Sequence, residues 1–242
     1  MPLSNIIDTI QHADCYEVLR GLGDKSVDLV LTDPPYGIGA ARDRHSQQWR
    51  WRDYPDAGWD SSRPSADVFS EIRRVSKHQI VWGGNYFADV LPSSGCWLVW
   101  DKGQRNFSLA DGELAWCSFD KALRIFSYSR AAALQEGKSH PTQKPVPLFT
   151  WCLRLFAKPG WVVLDPFAGS GTTALACHAL GMHFICVERS EYYVNVARNR
   201  LRDAQMQLSM FGGRENGTCG GSENSAQQAK GEMAESQVEL EL

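Results

Sequence analysis

Residues 161–188 read "WVVLDPFAGSGTTALACHALGMHFICVE", and this stretch decides the fold. "WVVLDPF" (161–167) is a short apolar run rich in strand-forming residues, and "HFICVE" (183–188) is another. Between them "SGTTALACHALG" (170–181) reads as a helix closed by Gly181. Residues 190–208 read as a further helix with Ser190 as its N-cap. Strand, helix, strand, helix is the signature of a doubly wound α/β sheet with helices on both faces. The turn itself, "DPFAGSGTTA" (165–174), ends a strand and opens a helix, so backbone N–H groups and the helix dipole face a ligand there.

Three kinds of ligand compete for such a turn. A triphosphate loop wants G-x-x-x-x-G-K-[ST], and no lysine follows Gly171. Gly169, Gly171 and Ala174 satisfy G-x-G-x-x-G/A, and Glu188 stands 17 residues after Gly171 at the end of the next strand. That arrangement suits a dinucleotide. It equally suits the adenosine and methionine parts of S-adenosylmethionine, with Glu188 accepting both ribose hydroxyls. A glycine turn used only for tight strand–helix packing has the same residues.

Two more stretches carry chemistry. In "SVDLVLTDPPYGIG" (26–39) an apolar strand ends in Asp33, Pro34, Pro35 and Tyr36. The prolines fix their own φ and keep the preceding residue extended, so a carboxylate, two carbonyls and a ring are held stiffly at the carboxyl end of a strand, where open α/β sheets bind ligands. In "HPTQKP" (140–145) prolines lead stiffly into a helix ending near Lys158, and Lys144 is placed to aim its ammonium at an anion; a plain surface loop has the same residue types. "NIIDTI" (5–10), "QIVWGG" (79–84), "CWLVWDK" (96–102), "ELAWCSF" (113–119) and "RIFSYSR" (124–130) are strand-like, and helices are expected near 15–22 and 65–77.

Composition bounds the rest. At 242 residues, 43% hydrophobic and 22% charged, the chain suits one domain, expected over residues 1–208. No uncharged apolar run of about 18 residues and no basic-then-apolar N-terminus is present, so a cytoplasmic protein with no membrane contact is expected. Seven cysteines without a C-x-x-C pair argue against a disulfide framework or a zinc site, and no metal is expected. The net charge of −3 is uneven: residues 212–242 hold six Glu against Arg214 and Lys230, a net −4, which leaves +1 on residues 1–211. Residues 209–242 are expected to be a disordered acidic tail. The body is near neutral, so any phosphate contact must come from local clusters.

Taken together and in this order, "DPPY", "HPTQKP" and "DPFAGSGTT" resemble the amino-methyltransferases of DNA, in the permuted class whose target-nitrogen motif precedes the cofactor motif. The resemblance extends over residues 5–205 through "ADCYEVL" (13–19), "IVWGGNYF" (80–87), "WLVWDK" (97–102) and "FICVERSEYYVNVARNRL" (184–201). The short form is similar to enzymes carried by phages and prophages, and restriction-modification is the implied setting. The implied fold is a mostly parallel, seven-stranded, Rossmann-like methyltransferase sheet. S-adenosylmethionine is the implied cofactor, held by Asp14, Asp33, His140, Lys144, Asp165, Phe167, Gly169, Ser170, Gly171, Thr172 and Glu188. In that pattern Lys144 and His140 take the methionine carboxylate end, Asp165 lies close to the methionine amino group and Asp14 meets the adenine amine. Asp14 reads equally as the N-cap of the helix at Cys15.

The implied reaction is methyl transfer to adenine N6 of an extruded base by direct displacement. Asp33 and the Pro34 carbonyl accept hydrogen bonds from the amine, with the prolines supplying preorganisation, and Tyr36 stacks on the base. Cytosine N4 is the alternative; family members acting there mostly carry Ser at the place of Asp33. Methylation at cytosine carbon 5 needs a thiolate in a Pro-Cys setting, and no cysteine here follows a proline. A nicotinamide-dependent oxidoreductase and a non-catalytic DNA-binding remnant are rivals of another class.

Double-stranded DNA is the implied partner. Residues 38–62 include Arg42, Arg44, Trp49, Arg50 and Arg52, the mixture expected where phosphates are neutralised and bases stacked; a solvated loop balanced by nearby Asp is the plainer reading. Residues 121–139 are a short remnant of the region that larger members use for target recognition, which implies a short or relaxed target. "QLSMF" (207–211) resembles the peptide by which bacterial replication proteins dock on a sliding clamp, and a helix terminus packed on the body is the alternative. A homodimer fits the permuted class.

Overall fold

The computed structural model describes residues 2–39, 60–105, 110–135 and 143–212, with side chains of the last helix described as far as Gln207. Its strands are β1 (Thr9–His12), β2 (Val27–Thr32), β3 (Ser76–Trp82), β4 (Trp97–Asp101), β5 (Gly112–Cys117), β6 (Arg124–Ser127), β7 (Val162–Asp165) and β8 (His183–Glu188). Its helices are α1 (Cys15–Gly21), α2 (Ala66–Val75), α3 (Arg130–Gln135), α4 (Val146–Phe156), α5 (Thr172–Ala179) and α6 (Glu191–Gly212). The strands form one sheet in the order β1-β8-β7-β2-β3-β5-β4-β6.

The mostly parallel α/β sheet with helices on both faces is the expected one, and it differs in detail. The described residues give eight strands rather than seven, because β6 pairs in parallel with β4 and extends the edge. β5 runs antiparallel to both neighbours, β3 and β4, while the other neighbouring pairs are parallel. The first strand starts at Thr9 and not Asn5: Leu3–Asn5 is a turn of 3-10 helix, and Asp8 takes φ 60° before the strand begins. Helix α6 runs to Gly212, four residues past the expected boundary of the domain.

The apolar positions explain the layers. Leu31, Ile80, Trp82 and Cys186 point to one face, under Leu148 and Leu153 of α4, Ala176 of α5 and Val194 of α6. Val30, Val81, Ile185 and Val187 point to the other, under Leu19 of α1 and Phe69 and Ile72 of α2. This alternation is the period-2 geometry of a strand covered on both sides. Burying each such large side chain contributes about 1.5–3 kcal/mol. At the C-terminus of α1, Arg74 donates to the carbonyls of Leu19 and Leu22, both at 2.9 Å, and satisfies groups the helix leaves open. No helix among the described residues is long and apolar enough to cross a membrane.

The connections from β2 and β7 go to opposite faces, since α2 packs on one and α5 on the other. β2 and β7 are neighbours, so the chain order reverses between them. A crevice opens at such a switch point, outside the carboxyl ends of the strands. Asp33 follows β2, and Asp165 ends β7.

Candidate active site

A cleft of about 370 Å³ occupies this switch point, lined among others by Asp14, Asp33, Phe167, Gly169, Ser170 and Glu188. On the β7–β8 side Glu188 holds the glycine turn. Its Oε2 accepts from Gly169 N–H at 2.9 Å and its Oε1 from Ser190 N–H at 2.8 Å. Each oxygen thereby keeps a lone pair for a ligand. Burial pushes the Glu188 carboxyl above its ordinary value, with these N–H groups opposing.

Asp165 lines the cleft and is also tied into the fold. Its Oδ1 accepts from the Thr32 hydroxyl at 2.7 Å and from Phe167 N–H at 3.0 Å, while Oδ2 accepts from the Thr173 hydroxyl. Burial pushes this carboxyl up to about 6. Its carboxylate thus clamps the turn between β2 and α5. Asp14 caps α1 by accepting from Tyr16 N–H at 2.8 Å, and it also lines the cleft, so both readings of that residue meet in one position.

Gly171 does not line the cleft. It sits at φ 81°, and an added Cβ there would lie 2.7 Å from Ala197 Cβ, so this glycine admits α6 against α5. The neighbouring Ser170 hydroxyl donates to Gln143 Oε1 at 3.1 Å, and Arg200 donates to the Ser170 carbonyl at 2.6 Å. Thr172 donates to the Lys144 carbonyl at 3.2 Å, which ties the turn to the segment before α4.

Asp33 sits in a closed set of partners. Its Oδ1 accepts from the Tyr36 hydroxyl at 2.6 Å, and its Oδ2 lies 2.6 Å from the Lys144 ammonium, which is also 3.2 Å from the Tyr36 oxygen. Lys144 is 5% exposed and lies 2.9 Å from Glu113 Oε2, an ion-pair distance outside hydrogen-bond angles. Glu113 Oε1 in turn pairs with Lys102 at 2.6 Å. Burial opposes the charge on Lys144, but Asp33 and Glu113 outweigh it and hold the ammonium well above its ordinary value. Burial likewise opposes the Glu113 charge, yet Lys144 and Lys102 bring that carboxyl down to about 2. Burial raises Asp33, against the pull of Lys144. The Lys144 ammonium is therefore turned to carboxylates of the chain itself, where a ligand carboxylate was expected.

Glu113 and Lys102 were not among the expected site residues. Glu113 escapes a sequence reading because it begins a strand, and chemistry is sought where parallel strands end. Being antiparallel, β5 brings its first residues to the carboxyl edge of β3 and β4, in the register Asp101 opposite Gly112 and Trp82 opposite Ala115.

The Tyr36 ring stacks on Tyr86, with centroids 4.6 Å apart and planes 15° from parallel. Gly83 makes room for it: at φ 70°, a Cβ there would lie 2.1 Å from Tyr36 Cε1. Gly83→Ala is expected to expel the ring and break its bond to Asp33. Left-handed strain adds roughly 1–2 kcal/mol, which thermal denaturation reads as a fall of about 2–8 °C. Pro34 is buried, Pro35 lines the cleft, and Asp60 fixes the following turn by accepting from Gly37 N–H at 2.8 Å. His140 and the arginines and tryptophan proposed for DNA contact, Arg42, Arg44, Trp49, Arg50 and Arg52, lie outside the described residues. Gln207 is exposed near the end of α6, and the side chains of the remaining "LSMF" also lie outside them.

The N6_N4_Mtase family model, described as DNA methylase, matches residues 72–199. The type II methyltransferase M.HinfI of Haemophilus influenzae is 27% identical, over 83% of this chain and 70% of its own length. The putative methylase YubD of Escherichia coli (strain K12) is 28% identical, over 79% of this chain and 89% of its own. Among solved structures, the M1.HpyAVI-SAM complex matches with a TM-score of 0.54 and 26% identity, covering 80% of this chain and 98% of that one. The cytosine-N4-specific PvuII DNA methyltransferase shares the fold at a TM-score of 0.54 and 16% identity, covering 82% of this chain and 91% of that one.

Proposed function

We propose that this chain, which belongs to the N6_N4_Mtase family of DNA methylases, transfers a methyl group from S-adenosylmethionine to adenine N6 of a base extruded from DNA. The residues of the cleft fit that cofactor. Glu188 presents spare lone pairs for ribose hydroxyls, and the Gly169 turn lets backbone come close. Phe167, Asp14 and Ser170 line the remaining wall. When bound, S-adenosylmethionine supplies an electrophilic methyl group on a positively charged sulfur.

The chain's own part is to prepare the amine. An exocyclic amine is a poor nucleophile, since its lone pair is delocalised into the ring. A hydrogen-bond acceptor on the N–H favours the pyramidal nitrogen that attacks. Asp33, fixed by the two prolines and by Lys144, is that acceptor, and the Pro34 carbonyl is the second. Tyr36 now occupies Oδ1 of Asp33. An arriving amine takes over that oxygen as the Tyr36 ring turns to stack on the base. Because burial raises the Asp33 carboxyl, it is also suited to take the proton that the methylated nitrogen sheds.

The observation that carries adenine over cytosine is the identity of Asp33 and its ion pair with Lys144, which an uncharged serine at that place would not make. The experiment is methylation of unmethylated DNA followed by nucleoside mass spectrometry and mapping of the modified positions. N6-methyldeoxyadenosine at a short or relaxed target is expected. N4-methyldeoxycytidine as the product rejects the adenine assignment, and a defined site of about six base pairs or more rejects relaxed recognition.

A further inference from the structure

We propose that Glu113 is a positioning residue for methyl transfer: its carboxylate, bridging Lys102 and Lys144, shares the Lys144 ammonium with Asp33, fixes its position and leaves Asp33 the stronger acceptor for the target amine. The inference rests on the methyl-transfer reading, and assigns a part in it to two groups outside the three motifs.

The geometry is a chain of alternating charge, Asp33, Lys144, Glu113 and Lys102, with contacts of 2.6, 2.9 and 2.6 Å. It runs from the loop after β2 to just beyond the end of β4, with Lys144 the least exposed member at 5%. Such a network is not the cheapest way to fill a protein interior, because well-packed apolar side chains of similar volume often give equal or greater stability. What it does supply is orientation. Lys144 sits on a flexible four-carbon stem, and a single carboxylate partner leaves it free to follow Asp33 in any direction. Two partners, Asp33 and Glu113, fix the ammonium between them when the Tyr36 hydroxyl leaves.

Sharing also sets the electrostatics of the acceptor. With Asp33 as its only anion, the Lys144 ammonium would neutralise it. Glu113 draws part of that positive charge away, and its own charge pushes the Asp33 carboxyl upward. Both effects leave Asp33 the better acceptor for an N–H and for a proton. The charged and titratable groups facing this centre are Asp33 and Tyr36 from the loop after β2, Glu113 from β5, Lys102 beyond β4, Lys144 before α4 and Asp165 from β7. Only Glu113 and Lys102 lie outside "DPPY", "HPTQKP" and "DPFAGSGTT", and Lys102 ends the stretch 97–102 that also carries the resemblance.

The test uses the full chain with Glu113→Gln, Glu113→Asp and Lys102→Met. Glu113→Gln is expected to lower kcat roughly 10–100-fold, with the Kd for S-adenosylmethionine within about twofold of wild type. The acid limb of its kcat–pH profile is expected to move to lower pH by about one unit, since a negative neighbour has gone. Glu113→Asp recovers part of the rate. Lys102→Met moves the limb the other way, because it removes a positive charge. Carbon-13 NMR of the Asp33 carboxyl reads the same two opposite shifts in the absence of DNA and donor. A lower melting temperature with an unmoved pH profile and an unmoved Asp33 titration overturns the proposal. If wild-type protein transfers no methyl group to DNA, the methyl-transfer reading fails on its own, and the NMR titration still decides whether Glu113 governs the Lys144–Asp33 pair. Should Glu113→Gln not fold, Lys102→Met carries the same decision by its own sign.

Discussion

Replacing Asp33 by Asn is expected to lower the rate of methyl transfer by about 10²–10³-fold, the scale seen when one preorganised polar group is removed from a reacting centre. Asn keeps the volume and one carbonyl acceptor for the Tyr36 hydroxyl, which now bonds Asp33 Oδ1 at 2.6 Å. It removes the charge. The Lys144 ammonium then faces Glu113 alone, and the carboxylate proposed to polarise the amine and take its proton is lost. The cofactor wall at Glu188 and Gly169 is untouched, so the Kd for S-adenosylmethionine is expected to change by less than about threefold. Tritiated methyl transfer and titration calorimetry measure the two quantities. A variant whose kcat stays within about tenfold of wild type would remove Asp33 from the mechanism.

Lys144→Met has the largest expected effect on stability. Lys144 is 5% exposed between Asp33 and Glu113, and its loss leaves two partly buried carboxylates with only Lys102 nearby. Breaking a buried pair in this way costs about 3–5 kcal/mol near neutral pH. The sign of its pH dependence follows from linkage. In wild type the folded Lys144 titrates well above its ordinary 10.5, so its contribution is complete below that pH and is lost as pH rises through the folded value. In the variant the Asp33 carboxyl, raised by burial even beside Lys144, loses that opposing charge and rises further above its unfolded value. The folded state then binds more protons than the unfolded state, and stability recovers as pH falls toward the ordinary carboxyl range of about 4. Urea unfolding at about pH 8 and pH 5.5 checks this. A deficit of equal size at both would show that lost packing, not uncompensated charge, is the cause.

Arg74 illustrates how little of such networks a sequence reveals. Its guanidinium joins Asp24 and Glu71 to the carbonyls that end α1, residues more than 50 positions away. Yet the helices it braces were legible from their patterns. The α5 and β8 elements were found because a glycine turn, a closing Gly181 and a β-branched run are local signals, and each is set by backbone sterics within a few residues. The site residues of β2, β7 and β8 were legible for the same reason: parallel strands deliver their final residues to one edge, so Asp33, Asp165 and Glu188 are neighbours as soon as the strands are parallel.

What each of them does there was less legible. Asp165 lines the cleft, and its carboxylate is also bonded to Thr32, Thr173 and Phe167, which the sequence did not indicate. Lys144 reads as an anchor for a ligand carboxylate but faces Asp33 and Glu113. Hydrogen-bond acceptors and ammonium groups are satisfied by whichever partner is nearest in space, and that distance is not written in the order of residues.

By itself the sequence determined the doubly wound sheet, the glycine turn after β7 and the stiff loop that carries Asp33 and Tyr36, all fixed by local sterics and by the alternation of apolar positions. Only the tertiary structure decided that β5 runs against its neighbours. Strand direction depends on pairing between distant segments, and this one reversal carries Glu113 from the start of a strand to the edge where the other strands end. There it meets Lys144, beside the loop that carries Asp33.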